Sequence, residues 1–153
     1  MPDLIIRPAE AGDIDFILRG NAAVDQKSYE NGIAPNPLTS ERIRKEILSE
    51  NPRAFIWIAE HKGERAGFVI FCFCYYASEG EGLWVTNVYV DPFCRRGGVA
   101  SALYQKLKQE FPHVSGIYGS VARRNRLASD FMLGIGAKCY EDYPIYGFEN
   151  DWA

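Results

Sequence analysis

The stretch from residue 54 to residue 90 constrains the fold most. Three apolar runs follow one another there: "AFIWIAE" at 54–60, "AGFVIFCFCYY" at 66–76 and "LWVTNVYV" at 83–90. Each is rich in β-branched and aromatic residues, which suit a pleated and packed surface. The first two are separated by Lys62-Gly63-Glu64 and read as an antiparallel hairpin. The loop "ASEGEG" leads into the third. A chain with this centre builds a sheet, and its remaining segments have to cover the faces of that sheet.

Those segments alternate in type. "LIIRPA" reads as an opening strand, and "DIDFILRGNAAV" places Ile14, Ile17 and Leu18 on one helical face, with Asp13 as its cap. After the proline-rich loop 31–38, Thr39 caps a second helix over "SERIRKEILSE", with Leu38 and Ile43 at the two positions of a hydrophobic staple. Val99, Leu103, Leu107 and Phe111 repeat at helical spacing before Pro112. "SGIYGSVA" is then a strand, "RLASDFMLGIG" a helix closed by Gly136, and "KCYEDYPIYGFE" a final strand pair or bent strand. The expected order is β-α-α-β-β-β-α-β-α-β: an α/β (α+β mixed) architecture with a central mixed sheet. A length of 153 residues suits one domain, expected to span 1–153.

Bulk properties narrow the function. A formal charge of -3 with no dominant basic block argues against nucleic acid as the main partner. Met1-Pro2-Asp3 lacks the basic and apolar stretches of a signal peptide, and "GFVIFCFCYY" is too short to span a bilayer. The expectation is a cytoplasmic protein with no membrane partner. Cys72 and Cys74 share one strand face and pack side by side, and no histidine set completes a zinc site, so no metal is expected. Cys94, beside two arginines, reads as passive.

The sharpest local feature is "DPFCRRGGVASAL" at 91–103. The first turn of a helix leaves backbone N–H groups without partners, and its dipole adds positive potential. Glycines at 97 and 98 let a bulky anion approach that backbone, while Arg95 and Arg96 add charge. The turn is neither a Walker loop nor a dinucleotide fingerprint, because the required endings and spacings are absent. Taken alone it is either a phosphate cradle or a plain strand-to-helix turn.

Arg95-x-x-Gly98-x-Ala100 after a strand and an Asp-Pro step resembles the acyl-CoA signature of the GNAT N-acetyltransferase superfamily. The likeness extends over "IIRPAEAGDIDFI", "NVYVDP" and "VARRNRLASDFMLGIGAK", in the family's order. It implies a GNAT-like fold, with a mostly antiparallel sheet and helices on both faces, and acetyl-CoA as co-substrate. Backbone amides across Arg96, Gly97, Gly98, Val99, Ala100 and Ser101, with Arg95 beside them, would then meet the pyrophosphate. The backbone of Val88, Tyr89 and Val90 would hold the pantetheine arm, where the family splays two parallel strands apart, and Asn125 would touch the same arm.

The resemblance breaks where proton transfer is expected. The family often places a glutamate at the position of Thr86 and a tyrosine at that of Met132. Asn87 cannot stand in as a base, and Met132 reads as a pocket residue. Tyr140, Tyr143 or Tyr146 could supply an acid, Glu79 or Glu81 could act through water, or transfer could proceed with little assistance. A related branch, the spermidine/spermine and thialysine acetyltransferases, has a similar aromatic hairpin. The loop around Tyr29 and Glu30 is where the family commonly shapes acceptor choice. The resemblance thus implies acetyl transfer to a primary amine of a small molecule, in a possible homodimer. The alternatives are a protein N-terminal or tRNA-linked amine as acceptor, for which Arg123-Arg124-Asn125-Arg126 is the basic cluster, or an acyl-CoA-binding module without turnover.

Overall fold

The strand runs form the middle of the sheet they imply. The computed structural model describes residues 3–30 and 37–140. Strands β1 (Leu4–Pro8), β2 (Phe55–His61), β3 (Glu64–Tyr76), β4 (Gly80–Val90) and β5 (Ile117–Gly119) lie in the order β1-β2-β3-β4-β5. The first three pairings are antiparallel and the last, β4 with β5, is parallel. The β2–β3 turn is tight because Lys62 and Gly63 both take left-handed backbone angles (φ 52° and 81°), which match the twist of a hairpin.

Strand alternation divides the apolar residues between two faces. On one, Ile56, Ile58, Phe68 and Ile70 join Ile14, Phe16 and Ile17 of helix α1 (Ile14–Glu30) and Ile43 in one buried cluster. Helix α1 lies close to the sheet at Gly20, where a Cβ would stand 2.5 Å from Phe68 and 2.6 Å from Tyr89. On the other face lies α3 (Val99–Glu110), with Val99, Leu103 and Leu107 buried. Its end is pinned by Phe111, whose ring stacks on Trp57 at 5.7 Å and meets Phe71 edge-on at 5.8 Å. Helices therefore cover both faces.

The second helix departs from expectation. Helix α2 is α-helical only over Ser40–Arg42, capped by Thr39, and continues as a π turn over Ile43–Ile47. The Leu48 N–H reaches back to the Ile43 carbonyl at 2.9 Å. This wider turn lets Ile43, Ile47 and Leu48 all face the core. Packing divides the chain after Ala122, and residues 123–153 form a second unit. There α4 (Arg126–Gly134) is capped by Asn125, whose side chain accepts the Ala128 N–H at 3.2 Å, and is closed by Gly136 at φ 90°. The expected final strand lies outside the described residues, except for Lys138–Tyr140, which carry no regular structure. No helix among the described residues is long and apolar enough to cross a membrane.

Asp13 ties the entrance of α1 to the sheet edge. Its carboxylate, 1% exposed, accepts from Arg7 at 2.7 and 3.0 Å, from Arg65 at 2.6 Å and from the Glu10 N–H at 2.8 Å. Burial alone would raise its pKa, but the hydrogen bonds from Arg7, Glu10 and Arg65 outweigh it and hold it well below the usual carboxylate range. A depressed folded-state pKa gives stability that is present above the unfolded value and is lost as pH falls below about 4. We predict that Asp13→Asn lowers stability by about 3 kcal/mol near neutrality, with a smaller difference from the parent at pH 3. Denaturant titrations at both pH values check this; an equal loss at each would contradict it.

Candidate active site

The site starts from one extra residue in β4. Val85 pairs with Phe71 and Asn87 with Ile70, so Thr86 has no opposite number on β3 and bulges. Parallel pairing with β5 covers only Leu83, Trp84 and Val85 and ends at the same point. Beyond it the β3 side stays zipped: the Asp91 N–H donates to the Ala66 carbonyl at 2.9 Å. The register then turns the backbone groups of Tyr89 and Asn87 toward β3 and those of Val88 and Val90 toward the other edge. Among the described residues no strand pairs with that edge. Arg95 reaches it, donating Nε–H to the Val90 carbonyl at 3.4 Å.

This open edge runs directly into the glycine turn. Asp91 accepts the Phe93 N–H on its side chain at 3.0 Å, starting a short 3-10 turn over Pro92–Cys94. Arg96 and Gly98 then take left-handed angles, φ 63° and 80°, on either side of Gly97. Gly98 is the N-cap of α3 and offers no side-chain acceptor, so the first N–H groups of that helix remain uncapped. Arg95 and Arg96 are exposed beside them. Alternating left-handed turns, bared amides, a helix dipole and two guanidinium groups make a cradle for an anion.

The other expected site residues are distributed as follows. Thr86 is exposed at the bulge, and its hydroxyl donates to the Ile70 carbonyl at 3.3 Å. Asn87 points to α1, where its amide donates to Asn21 Oδ1 at 3.0 Å. The Tyr89 ring packs with Phe16 and Phe68, and burial pushes its phenol above its ordinary pKa. Tyr29 and Glu30 end α1. Glu81, the second residue of β4, lies five residues before the bulge, roughly 17 Å along a strand, and pairs with His113 at 3.2 Å. Glu79 sits in the loop before it. Neither carboxylate is brought to the bulge. In the second unit Asn125 caps α4, Met132 is half-buried and Tyr140 exposed. Tyr143 and Tyr146 lie outside the described residues. All four cysteines are free, and no acidic, cysteine or histidine cluster among the described residues could hold a metal.

Two residues escaped the sequence reading. Asn21 is buried and donates to Asp25 at 2.8 Å. Their spacing carried a signal, since Ile14, Ile17, Leu18, Asn21 and Asp25 continue one helical stripe from apolar into polar residues.

The bulged strand leaves an open main-chain edge that runs into an uncapped helix start. The acetyltransferase (GNAT) family model matches residues 23–132, and the chain belongs to this family of N-acetyltransferases. It is 26% identical over 117 residues to thialysine N-epsilon-acetyltransferase from Sus scrofa, covering 71% of this chain and 68% of that protein. Its fold is similar to that of a possible acetyltransferase from Clostridium difficile 630, with a TM-score of 0.76 and 20% identity over 95% of this chain and 97% of that one. It is also similar to a predicted acetyltransferase from Clostridium acetobutylicum solved with acetyl-CoA, with a TM-score of 0.67 and 18% identity over 94% and 96% of the two chains.

The register makes a direct prediction about amide exchange. Without ligand, the Val88 and Val90 N–H groups should exchange orders of magnitude faster than those of Asn87 and Tyr89. Residue-resolved hydrogen exchange checks this; equal protection along 87–90 would mean that the edge is paired.

Proposed function

We propose that the chain transfers an acetyl group from acetyl-CoA to the primary amine of a small molecule. The observation that carries this reading is the open edge of β4 leading into the uncapped start of α3. Val88 and Val90 face an edge with no strand partner among the described residues, where Arg95 reaches the Val90 carbonyl, and this edge is suited to the amides of a pantetheine arm. The Tyr89 backbone belongs to the β3 ladder by register, so Tyr89 contributes its packed ring. Amides between Arg96 and Ser101, apart from that of Gly97, which donates to the Cys94 carbonyl at 3.3 Å, suit a pyrophosphate, with Arg95 and Arg96 supplying charge. The neighbour solved with acetyl-CoA supports the donor, and the relative named for an N-epsilon amine supports the acceptor class.

In the reaction the amine nitrogen forms a bond to the thioester carbonyl carbon and the carbon–sulfur bond breaks. The amine proton is lost and the thiolate leaves, to be protonated. Thr86 and Met132 exchange no proton near neutrality, so this chain's help lies in placement and in polarising the carbonyl from the Val88 and Val90 edge. An amine with a pKa near 8 needs far less assistance than a lysine-like amine near 10.4. Titration with acetyl-CoA, followed by an amine panel assayed for released thiol, tests the whole reading. Binding without turnover would leave a sensing module, and no binding would end the proposal.

Two variants sharpen it. A Cβ at Gly98 meets no atom within 4 Å, so the first atom of a side chain has room there. Its φ of 80° makes the change cost about 1–2 kcal/mol, and it adds bulk beside the helix start that offers the bared amides. Gly98→Leu should weaken acetyl-CoA by about tenfold or more in calorimetry while the fold persists. Normal binding would place the pyrophosphate elsewhere.

Met132→Leu should keep most of the activity, and the rate should rise with pH as the amine deprotonates and then level off. A falling alkaline limb that vanishes in Tyr140→Phe, Tyr143→Phe or Tyr146→Phe would instead identify a tyrosine acid.

A further inference from the structure

Helix α1 crosses β4 in a direction that brings its later turns to the bulge. Phe16 meets the Tyr89 ring at 5.9 Å, and Gly20 still lies against Tyr89. One residue later, Asn21 accepts from Asn87 at 3.0 Å. As the helix advances, its partners on β4 step backward, so the two run antiparallel. Four more residues advance about 6 Å along a helix, the length of about two strand residues. On that course Asp25 would come level with Val85 and Thr86, where β4 bulges and its pairing with β5 ends.

The polar pairs between these elements are built into the core. Asn21 is 6% exposed, accepts from Asn87 and donates to Asp25 Oδ2 at 2.8 Å. Asp25 itself is half-buried. The contrast with Asp13 is informative: Asp13 is matched by two arginines, whereas Asp25 has no cationic partner among the described residues. A half-buried carboxylate without a counter-charge costs stability. Such a group gains most when a cation or a strong N–H donor arrives.

We propose that Asp25 receives the N–H groups of the acceptor's amine, and that the Asn21 and Asn87 amides hold it in register with the β4 bulge. The inference rests on the acetyl-transfer reading and assigns the acceptor side of the same cleft. Asp25 thus supplies the negative charge that Thr86 does not, from the helix rather than from the strand. Burial pushes the Asp25 carboxyl above its ordinary pKa, which an incoming ammonium would relieve. Asn87 is a positioning residue: it touches Asn21 and acts through it.

The test uses the whole protein, acetyl-CoA and three probe amines: thialysine, ethylenediamine and alanine amide. Asp25→Asn keeps an oxygen for Asn21, so the fold is retained. It should raise KM for the best amine about ten- to a hundredfold, with KM for acetyl-CoA unchanged. Asp25→Glu should recover part of the loss. Asn87→Ala should raise the amine KM by less, again without changing the donor KM. A merely structural role would move both KM values together or neither. If the parent turns over an amine and Asp25→Asn leaves its KM within twofold, this inference alone is overturned. If the parent binds no acetyl-CoA, or acetylates none of the amines, the transfer reading falls and takes the inference with it.

Discussion

A single unpaired residue in β4 organises the rest of the molecule. Because Thr86 has no partner on β3, the strand changes direction where its short parallel pairing with β5 ends. The antiparallel side holds through Asp91, so the strain of parting is taken by one edge alone. That edge would be a defect in an ordinary sheet, since it leaves backbone groups without partners. Here it continues into a turn and helix start that also leave backbone N–H groups bare. The two form one continuous row of donors and acceptors made from main chain.

A cleft of this kind needs a rigid frame. The aromatic packing of Phe111 on Trp57 and Phe71 anchors the far end of α3, so the bared start of that helix is held from behind. On the opposite face Gly20 lets α1 sit against Phe68 and Tyr89. Asp13 completes the frame by joining strands β1 and β3 to the entrance of α1 through two arginines. The three devices use dispersion, close backbone approach and charge, and each fixes a different element against the same sheet.

How legible this was depends on how local each cause is. Strands β2 to β4 and the stripe of α3 were readable because apolar runs rich in β-branched and aromatic residues, and helical spacing, are written in neighbouring residues. The glycine turn was readable for the same reason, since Gly97-Gly98 after two arginines frees the backbone for a sharp turn there. The bulge was not: "LWVTNVYV" contains no glycine or proline, and the slip exists only as a register against β3. Asp13 was read as a helix cap, while its second arginine comes from 52 residues away. The π turn of α2 was invisible because it answers to three core contacts rather than to propensity. Asn21 and Asp25 stood in plain sight as polar members of an apolar stripe.

The open edge of β4 also bears on how the protein behaves in a crowded solution. An unpaired strand edge is a template onto which another chain can add itself, the first step of sheet-to-sheet aggregation. Here the exposed stretch is only a few residues long, it follows a bulge that kinks it out of line, and Arg95 already occupies the Val90 carbonyl. A neighbouring strand seeking register would meet a bent edge, a fixed positive charge and a left-handed turn within four or so residues. The same irregularity that bares the edge therefore makes it a poor template for an extended polypeptide.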